Sequence, residues 1–281
     1  MKTNLRNLCL LLAVVGAGCL TLGIALLTNV AGAHVSLEGH PVQTDKAVAA
    51  AGLAAIKVDS VSTEVIWRPS PDGQLRARLT GQTTGETPTL DVTRAGDKAT
   101  VAVRYPRQSF LSFGQFANNL ALELYVPAKR WRSVEIGTVS GDVQLGALET
   151  GDFRFHSVSG ELDSPQLTVA KAEVSSTSGD LTVASFTGEG RFSTVSGEIE
   201  VACTQLTGNL KLHTTSGEVQ LDLPPDARFN LEARSTSGEI KSAFPITIAG
   251  GAGERHRVSG TVGGGGPLVE LETVSGNLDL F

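Results

Sequence analysis

A Ser-Gly phrase recurs through the second half of the chain, and this repetition constrains the fold more than any other feature. Its eight copies place their serines at steps of 19, 19, 18, 20, 21, 22 and 16 residues. A fixed period near 20 indicates stacked structural repeats, which usually work through long side surfaces. The motifs are Val139–Asp142, Val158–Glu161, Thr177–Asp180, Val195–Glu198, Thr215–Glu218, Thr236–Glu239, Val258–Thr261 and Val274–Asn277.

Alignment of the motifs on their serine produces columns of similar residues. The residue three places after the serine is aliphatic in every copy, and the residue two places before it carries a hydroxyl in all copies except the seventh. These columns predict a β-solenoid of about eight rungs, each about 4.8 Å from the next. We expect the aliphatic columns to fill the interior, the hydroxyl column to bond between rungs and the glycine to permit a corner. The aliphatic column is Val143, Leu162, Leu181, Ile199, Val219, Ile240, Val262 and Leu278.

The fold class predicted from these patterns is all-β. Residues 56–135 alternate apolar and polar side chains between Gly, Pro and Asp turns, which is typical of antiparallel strands with one wet face. Residues 136–281 hold the solenoid repeats, and no helix is predicted between 56 and 281. Residues 31–55 read as a linker, with a short helix possible over Lys46–Ala55.

The N-terminal stretch predicts a membrane segment. Residues 7–30 are long and apolar enough for a transmembrane helix, and Lys2 and Arg6 in the tip 1–6 favour a cytoplasmic N-terminus. The alternative is a secretory signal cleaved near Ala33, because Ala31-Gly32-Ala33 fits a cleavage site. Both alternatives place the remainder outside the cytoplasmic membrane.

Three other stretches depart from the regular pattern. The Phe-rich segment 108–119 predicts either a loop folded onto the core or an exposed contact patch. The seventh motif is degenerate, with Arg255 and Arg257 in the apolar and hydroxyl columns, and glycine-rich loops flank it. The last repeat has no polar cap, so its open strand edge predicts end-to-end self-association unless the loops at 249–267 cover it.

The charge argues against one class of partner, and the cysteine content argues against internal disulfides. The net charge is −6 and no cluster of Lys and Arg is present, which argues against a nucleic-acid partner. Cys9 and Cys19 lie in the apolar N-terminal stretch, so Cys203 is the single cysteine of the predicted fold and no internal disulfide is expected there. We expect Cys203 to be a small buried residue.

The acid that follows Ser-Gly forms a column of its own. Because like charges on adjacent strands repel, some local interaction must offset the repulsion. The carboxylates either accept hydrogen bonds from corner N–H groups or form a weak cation strip suited to Ca²⁺. The acid column is Asp142, Glu161, Asp180, Glu198, Glu218 and Glu239.

No other metal, cofactor or catalytic site is predicted. His156 and His213 share a column but stand three rungs apart, about 14 Å at the usual rung spacing, which is too far for one metal ion. Each repeat serine has a structural explanation, and the sequence contains no phosphate loop, dinucleotide fingerprint or zinc-ligand spacing.

Repeated [Val/Thr]-Ser-Gly-[Asp/Glu]-aliphatic units behind an N-terminal apolar stretch resemble the bacterial putative-adhesin family. The resemblance covers 56–281 and includes the strand-Pro phrases 122–127 and 219–224. It implies membrane-anchored envelope proteins without shared catalytic or binding residues, some of them associated with envelope-stress systems. The predicted function is therefore a noncatalytic extracytoplasmic adhesin-like binding or scaffold module. The alternatives are an envelope-stress accessory protein that acts through a membrane partner, and a polysaccharide-acting β-helix enzyme.

Overall fold

The computed structural model describes residues 39–84, 86–106, 118–248 and 256–281. These residues form β-strands and no helix, so the predicted all-β class is confirmed for them. The strands are β1 (His40–Ala49), β2 (Ala55–Asp59), β3 (Glu64–Pro69), β4 (Gln74–Thr83), β5 (Thr89–Ala95), β6 (Lys98–Arg104), β7 (Asn118–Val126), β8 (Trp131–Gly137), β9 (Val143–Gln144), β10 (Leu148–His156), β11 (Leu162–Ser164), β12 (Leu167–Ser175), β13 (Leu181–Ser196), β14 (Ile199–Gln205), β15 (Leu210–Ser216), β16 (Val219–Asp222), β17 (Phe229–Ser237), β18 (Ile240–Ser242), β19 (Arg257–Val262), β20 (Leu268–Ser275) and β21 (Leu278–Leu280).

The strands stack into a coil with two faces, as the period predicts. In each rung that is built on a Ser-Gly motif, one strand leads into the corner on the first face and another leaves it on the second face. The first face runs β5–β6–β2–β8–β10–β12–β13–β15–β20–β17–β19. The second face runs β1–β4–β7–β3–β9–β11–β13–β14–β16–β21–β18. The strand β13 is 16 residues long and belongs to both faces.

The aliphatic columns fill the interior of the coil. Phe155, Phe192 and Leu212, four places before their serines, are fully buried. Burial of one such side chain stabilises the fold by about 1.5–3 kcal/mol, so a column of them supplies a large part of the driving force. In the column after the serine, Val143, Leu162, Leu181, Ile199, Val219 and Leu278 are all at most 1% exposed, which confirms that these residues face the core. Ile240 is half-buried, and Val262 is buried on β19 outside the column.

The corner is built from the glycine and from the hydroxyl residue two places before the serine. A Cβ at Gly160 would lie 2.2 Å from the carbonyl oxygen of Gly141 on the neighbouring rung, so a side chain there would collide with backbone. The Gly160 N–H donates to Ser157 Oγ (2.7 Å). Between rungs, Thr194 Oγ1 donates to the Gly179 carbonyl (3.2 Å), which satisfies a buried backbone acceptor as the hydroxyl column predicts.

The order of the rungs in space differs from their order in the sequence. The last repeat, β20 and β21, lies between the rung of β15 and β16 and the rung of β17 and β18. The contacts of the corner glycines give the same order of rungs. Gly276 packs against the carbonyl of Gly217, and Gly238 packs against the carbonyl of Gly276. The sequence expectation of an uncapped last repeat is therefore wrong, since β20 and β21 have a strand on each side.

The set of strands that form rungs of the coil also differs from the expectation. The seventh motif lies in β19, which pairs antiparallel with β17 and forms no corner, because Gly260 faces Leu231 in a ladder. The rung next to the first motif is formed by β2 and β3, which pair in parallel with β8 and β9. Residues 56–135 are thus only partly antiparallel, as in the β4–β7 and β5–β6 pairs, and the prediction is corrected for β2 and β3.

The predicted linker contains a strand instead of the short helix proposed over Lys46–Ala55. Residues 40–49 form β1, which pairs antiparallel with β4 along its whole length. Val42 is the single fully buried side chain of β1, so the strand is held mainly by backbone hydrogen bonds. This explains why it carries no clear apolar alternation in the sequence.

Two sequence predictions fall outside the described residues. They are the transmembrane segment at 7–30 and nearly all of the Phe-rich stretch at 108–119. Within the part of the chain that the structure describes, no helix of the length and apolarity needed for a bilayer crossing is found.

Cys203 is 4% exposed, and burial raises the pKa of its thiol to about 11. Because the thiolate is the reactive form, we expect alkylation by iodoacetamide at pH 7.5 to be at least about 100-fold slower in the folded chain than in denaturant. Mass spectrometry of a chain with Cys9 and Cys19 replaced by serine measures both rates. Similar rates in the two conditions would show that the thiol is not enclosed.

Candidate functional site: the Ser-Gly corner and the acidic face

At each Ser-Gly corner the residue before the serine, the serine itself and the residue after the glycine are exposed or half-exposed, while the glycine is buried or half-buried. The residue before the serine points outward, and five valines at this place are 43–49% exposed. Threonines take the same place in three other rungs (Thr177, Thr215 and Thr236), so a row of β-branched side chains runs along the corner. We call this row the valine ridge: Val61, Val139, Val158, Val195 and Val274.

Two of the six acids that follow the glycine, Asp142 and Asp180, accept a corner N–H, as the first sequence alternative predicts. Asp142 Oδ1 accepts the N–H of Glu161 (3.1 Å) on the next rung. Asp180 Oδ1 accepts the N–H of Glu198 (2.8 Å) in the same way. Each of these carboxylates satisfies a donor of its neighbour, which offsets part of the repulsion between adjacent charges.

The cation strip has no support from the described side chains. Across residues 39–84, 86–106, 118–248 and 256–281, no group of three or more His, Cys, Asp or Glu is arranged to hold a metal ion. The strip over Asp142, Glu161, Asp180, Glu198, Glu218 and Glu239 stays a prediction from the sequence.

A second row of carboxylates lies beside the acid column on the outer side of the second face. The segments 142–144, 161–164, 180–184, 198–202, 218–222 and 277–281 contain no Lys or Arg, and the surface ends at β18, where Lys241 pairs with Glu239 (3.3 Å). The carboxylates of these segments form no ion pair with any described Lys, Arg or His. We call this surface the acidic face: Asp142, Glu161, Asp163, Asp180, Glu198, Glu200, Glu218, Asp222 and Asp279.

The first face has a different charge pattern. There, several cations pair with anions of the neighbouring rung, as in Arg154–Glu173 (3.7 Å) and Lys171–Glu189 (4.0 Å). Carboxylates one rung apart without such partners repel by about 0.9 kcal/mol per pair in water. The acidic face therefore concentrates negative potential that a cationic partner would relieve.

Sequence reasoning identified the acid column and missed the second row. Asp163 and Glu200 stand two places after their column acids, so strand alternation points them to the same side. The signal was available in the phrases Glu161-Leu162-Asp163 and Glu198-Ile199-Glu200. It lacks the strict repetition of the column, because other rungs carry a neutral residue or a cation at the same place: Gln144, Thr182, Gln220 and Lys241.

The two histidines of the shared column lie on the first face with different partners. His156 Nδ1 lies 2.7 Å from Ser175 Oγ, and His213 Nδ1 lies 3.4 Å from Glu272 Oε2. The structure keeps them on separate rungs, β10 and β15, with β12 and β13 between them. Neither histidine belongs to the acidic face.

A groove of about 450 Å³ lies at the end of β3 and beside the segments that follow β7, β9 and β11, where the chain leaves the second face. Its lining includes both tryptophans of the chain, Trp67 and Trp131, which are only 7% and 2% exposed. The Lys129 ammonium lies 4.2 Å from the centre of the Trp131 ring and donates to the carbonyl of Leu53 (2.6 Å). Sequence reasoning missed this groove, because its walls come from four separate connections between strands.

Two overlapping segments of the chain, 53–183 and 131–280, match the Toastrack DUF4097 family. The chain belongs to the Toastrack DUF4097 family. The match spans most of the described residues and confirms the resemblance drawn from the repeated motif. In the Toastrack chain described above, the match to 131–280 begins at β8, the first strand that leads into a Ser-Gly motif.

Solved structures similar to this Toastrack chain come from several bacteria. A putative cell adhesion protein from Clostridium sporogenes ATCC 15579 is 12% identical, with a TM-score of 0.35 over 86% of this chain and 99% of that one. A putative adhesin from Bacteroides fragilis NCTC 9343 is 12% identical, with a TM-score of 0.41 over 86% and 97%. A putative adhesin from Parabacteroides distasonis ATCC 8503 is 13% identical, with a TM-score of 0.42 over 85% and 97%. No curated protein matches the sequence.

Proposed function

We propose that this Toastrack chain is a noncatalytic, extracytoplasmic adhesin-like binding module held in the cell membrane by residues 7–30. It binds a cationic partner, either an envelope protein or a ligand on another cell surface. The partner lies along the acidic face and contacts the valine ridge at the corner. The observation that carries the proposal is nine outward carboxylates without a single Lys or Arg in the same strand segments.

The carboxylates of the acidic face are spaced by the rung repeat and form no ion pair with a described cation. The part of their mutual repulsion that backbone N–H groups do not offset therefore remains until an external cation is bound. The ridge beside them exposes apolar atoms in a continuous row, which is typical of an interaction surface. A partner that combines basic and apolar side chains would satisfy both rows at once.

A noncatalytic role is supported by the surroundings of the repeat serines. Ser140 Oγ lies 3.5 Å from the carbonyl of Val61, and the serine that contacts His156 is Ser175, outside the motif. Activation of a serine nucleophile requires a neighbouring base, usually histidine. In the described residues, none of the motif serines has that arrangement.

The proposal is tested by crosslinking in intact cells followed by salt-dependent binding. A photo-crosslinking residue at position 163 on the acidic face is expected to capture a discrete partner that one at position 173 on the first face does not. The quadruple variant Glu161→Gln, Asp163→Asn, Glu198→Gln and Glu200→Gln is expected to bind that partner at least 10-fold more weakly. The attraction should also fall steeply between 50 and 300 mM salt, because added ions screen exposed charges.

The matched control removes the same number of carboxylates from the first face, as Glu149→Gln, Glu173→Gln, Glu189→Gln and Glu232→Gln. It changes the net charge equally and should leave binding within about twofold. Equal binding by both variants, or turnover of a glycan by the chain, would contradict the proposal. Fractionation of the same cells checks the anchor, and recovery of the chain in the soluble cytoplasm would contradict the proposed location.

A further inference from the structure

The last repeat occupies a slot between two rungs that are consecutive in the chain. On the first face, β20 pairs with β15 through Leu212↔Leu271 and with β17 through Ala233↔Leu271. On the second face, β21 lies in the same way between β16 and β18. The connection from β16 to β17 therefore spans two rung spacings, and the space it leaves is filled by a later part of the chain.

Side chains along the slot match this particular segment. Lys211 pairs with Glu270 across the first face. At the corner, Asn277 replaces the usual acid, accepts the N–H of Glu239 (3.1 Å) and donates to Glu218 Oε1 (3.0 Å). The amide accepts from one neighbouring rung and donates to the carboxylate of the other, and a carboxylate at this place could not donate to Glu218.

The segment is joined to β19 by four glycines and a proline. Gly263, Gly264 and Gly265 have φ values of 63°, 93° and 87°, which residues with a side chain rarely adopt. The linker crosses the start of β17, where the Asn230 N–H donates to the carbonyl of Pro267 (2.9 Å). Because glycine linkers are flexible outside the folded state, β20 and β21 are free to search for a slot during folding.

We propose that this slot is a strand-acceptor site and that a second copy of the chain fills it with its own β20 and β21. The exchanged dimer keeps every strand pair, side-chain pair and buried leucine of the monomer, because the donor residues are identical. The balance between the two forms is therefore set by chain concentration relative to the effective concentration within one chain, which is in the millimolar range for a short flexible linker. Once folded, either form is trapped, since release breaks ladders on both sides of β20 and β21.

The experiment uses full-length chains in which Cys9, Cys19 and Cys203 are replaced by alanine. Lys211→Cys and Glu270→Cys are introduced in separate chains, which are mixed, refolded together from denaturant at about 1 mM and then oxidised. Directly opposed residues of neighbouring strands have Cβ atoms about 4.5–5.5 Å apart, within reach of a disulfide after small adjustment. We expect a disulfide-linked dimer whose yield falls at least 10-fold when refolding is performed at 10 μM.

The matched control places Lys57→Cys and Glu135→Cys in separate chains. These residues are opposed in the same way on β2 and β8, which are adjacent within the stack and are not expected to exchange. A dimer yield from the 211 and 270 mixture no higher than from this control overturns the proposal. So does failure of a single chain carrying both Lys211→Cys and Glu270→Cys to close its internal disulfide, because the slot would then not have the described register.

Discussion

Replacement of Gly160 by alanine is expected to destabilise the fold by about 3 kcal/mol or more. The new Cβ would stand 2.2 Å from the Gly141 carbonyl oxygen, far inside the contact distance of carbon and oxygen. The neighbouring atom is backbone in the middle of the stack, so relief requires that two rungs move apart. That movement weakens the bonds that cross between these rungs, such as the Glu161 N–H to Asp142 Oδ1 and the Ser159 N–H to the carbonyl of Val139.

Gly137→Ala is the matched control for this substitution. Gly137 lies on the same coil with its φ outside the left-handed region, and a Cβ there would meet its nearest atom, Asp59 Oδ1, at an ordinary 3.6 Å. Chemical denaturation monitored by tryptophan fluorescence gives the free energy of unfolding of both variants. A loss for Gly160→Ala no larger than for Gly137→Ala would contradict the stacked-glycine corner.

The architecture could be predicted because the same physical constraints act at the corner of every rung. The glycine at the corner, the hydroxyl before it and the aliphatic residue after it are required by backbone sterics, by hydrogen bonding and by burial in every turn. Their identities therefore repeat. The residues Val143, Leu162 and Leu181 show this, since they were placed in the core by spacing alone and are buried.

The order of the rungs could not be predicted by the same reasoning, because repeats that satisfy the same constraints are interchangeable. The residues that distinguish one place from another are few. Asn277, where other motifs carry an acid, and Arg257, where other motifs carry a hydroxyl, are two of them. They were noticed as departures from a pattern, and only the paired registers show that Asn277 separates Glu218 from Glu239.

The candidate site was predicted in part for a related reason. The acid column repeats strictly and was found, whereas Asp163 and Glu200 belong to a row whose members vary between rungs. The tryptophan groove has no period in the sequence, because Trp67 and Trp131 come from β3 and β8, which are far apart along the chain. Surfaces assembled once, from unrelated segments, leave no repeated signal in the sequence.

Replacement of Leu271 by aspartate is expected to cost about 4 kcal/mol or more, and its effect should reach beyond its own strand. Leu271 is 1% exposed at the centre of β20, and burial of a carboxylate without a partner is strongly unfavourable. Because β20 lies between β15 and β17, its loss removes a neighbour from Phe229–Ser237, which precedes it in the sequence. Hydrogen exchange should therefore show reduced protection in β17 and β20 together, with β10 unchanged.

Val274→Asp provides the matched control, since it makes the same chemical change on the same strand at a side chain that is 43% exposed. It should leave the free energy of unfolding within about 0.5 kcal/mol of the parent. Two arrangements of the stack predict different results for Leu271→Asp. If the rungs followed the order of the sequence, β17 would pair with β15 directly and would stay protected when β20 is lost. Loss of protection in β17 is explained by the inserted order, in which β20 and β21 hold the outermost rung to the remainder of the coil.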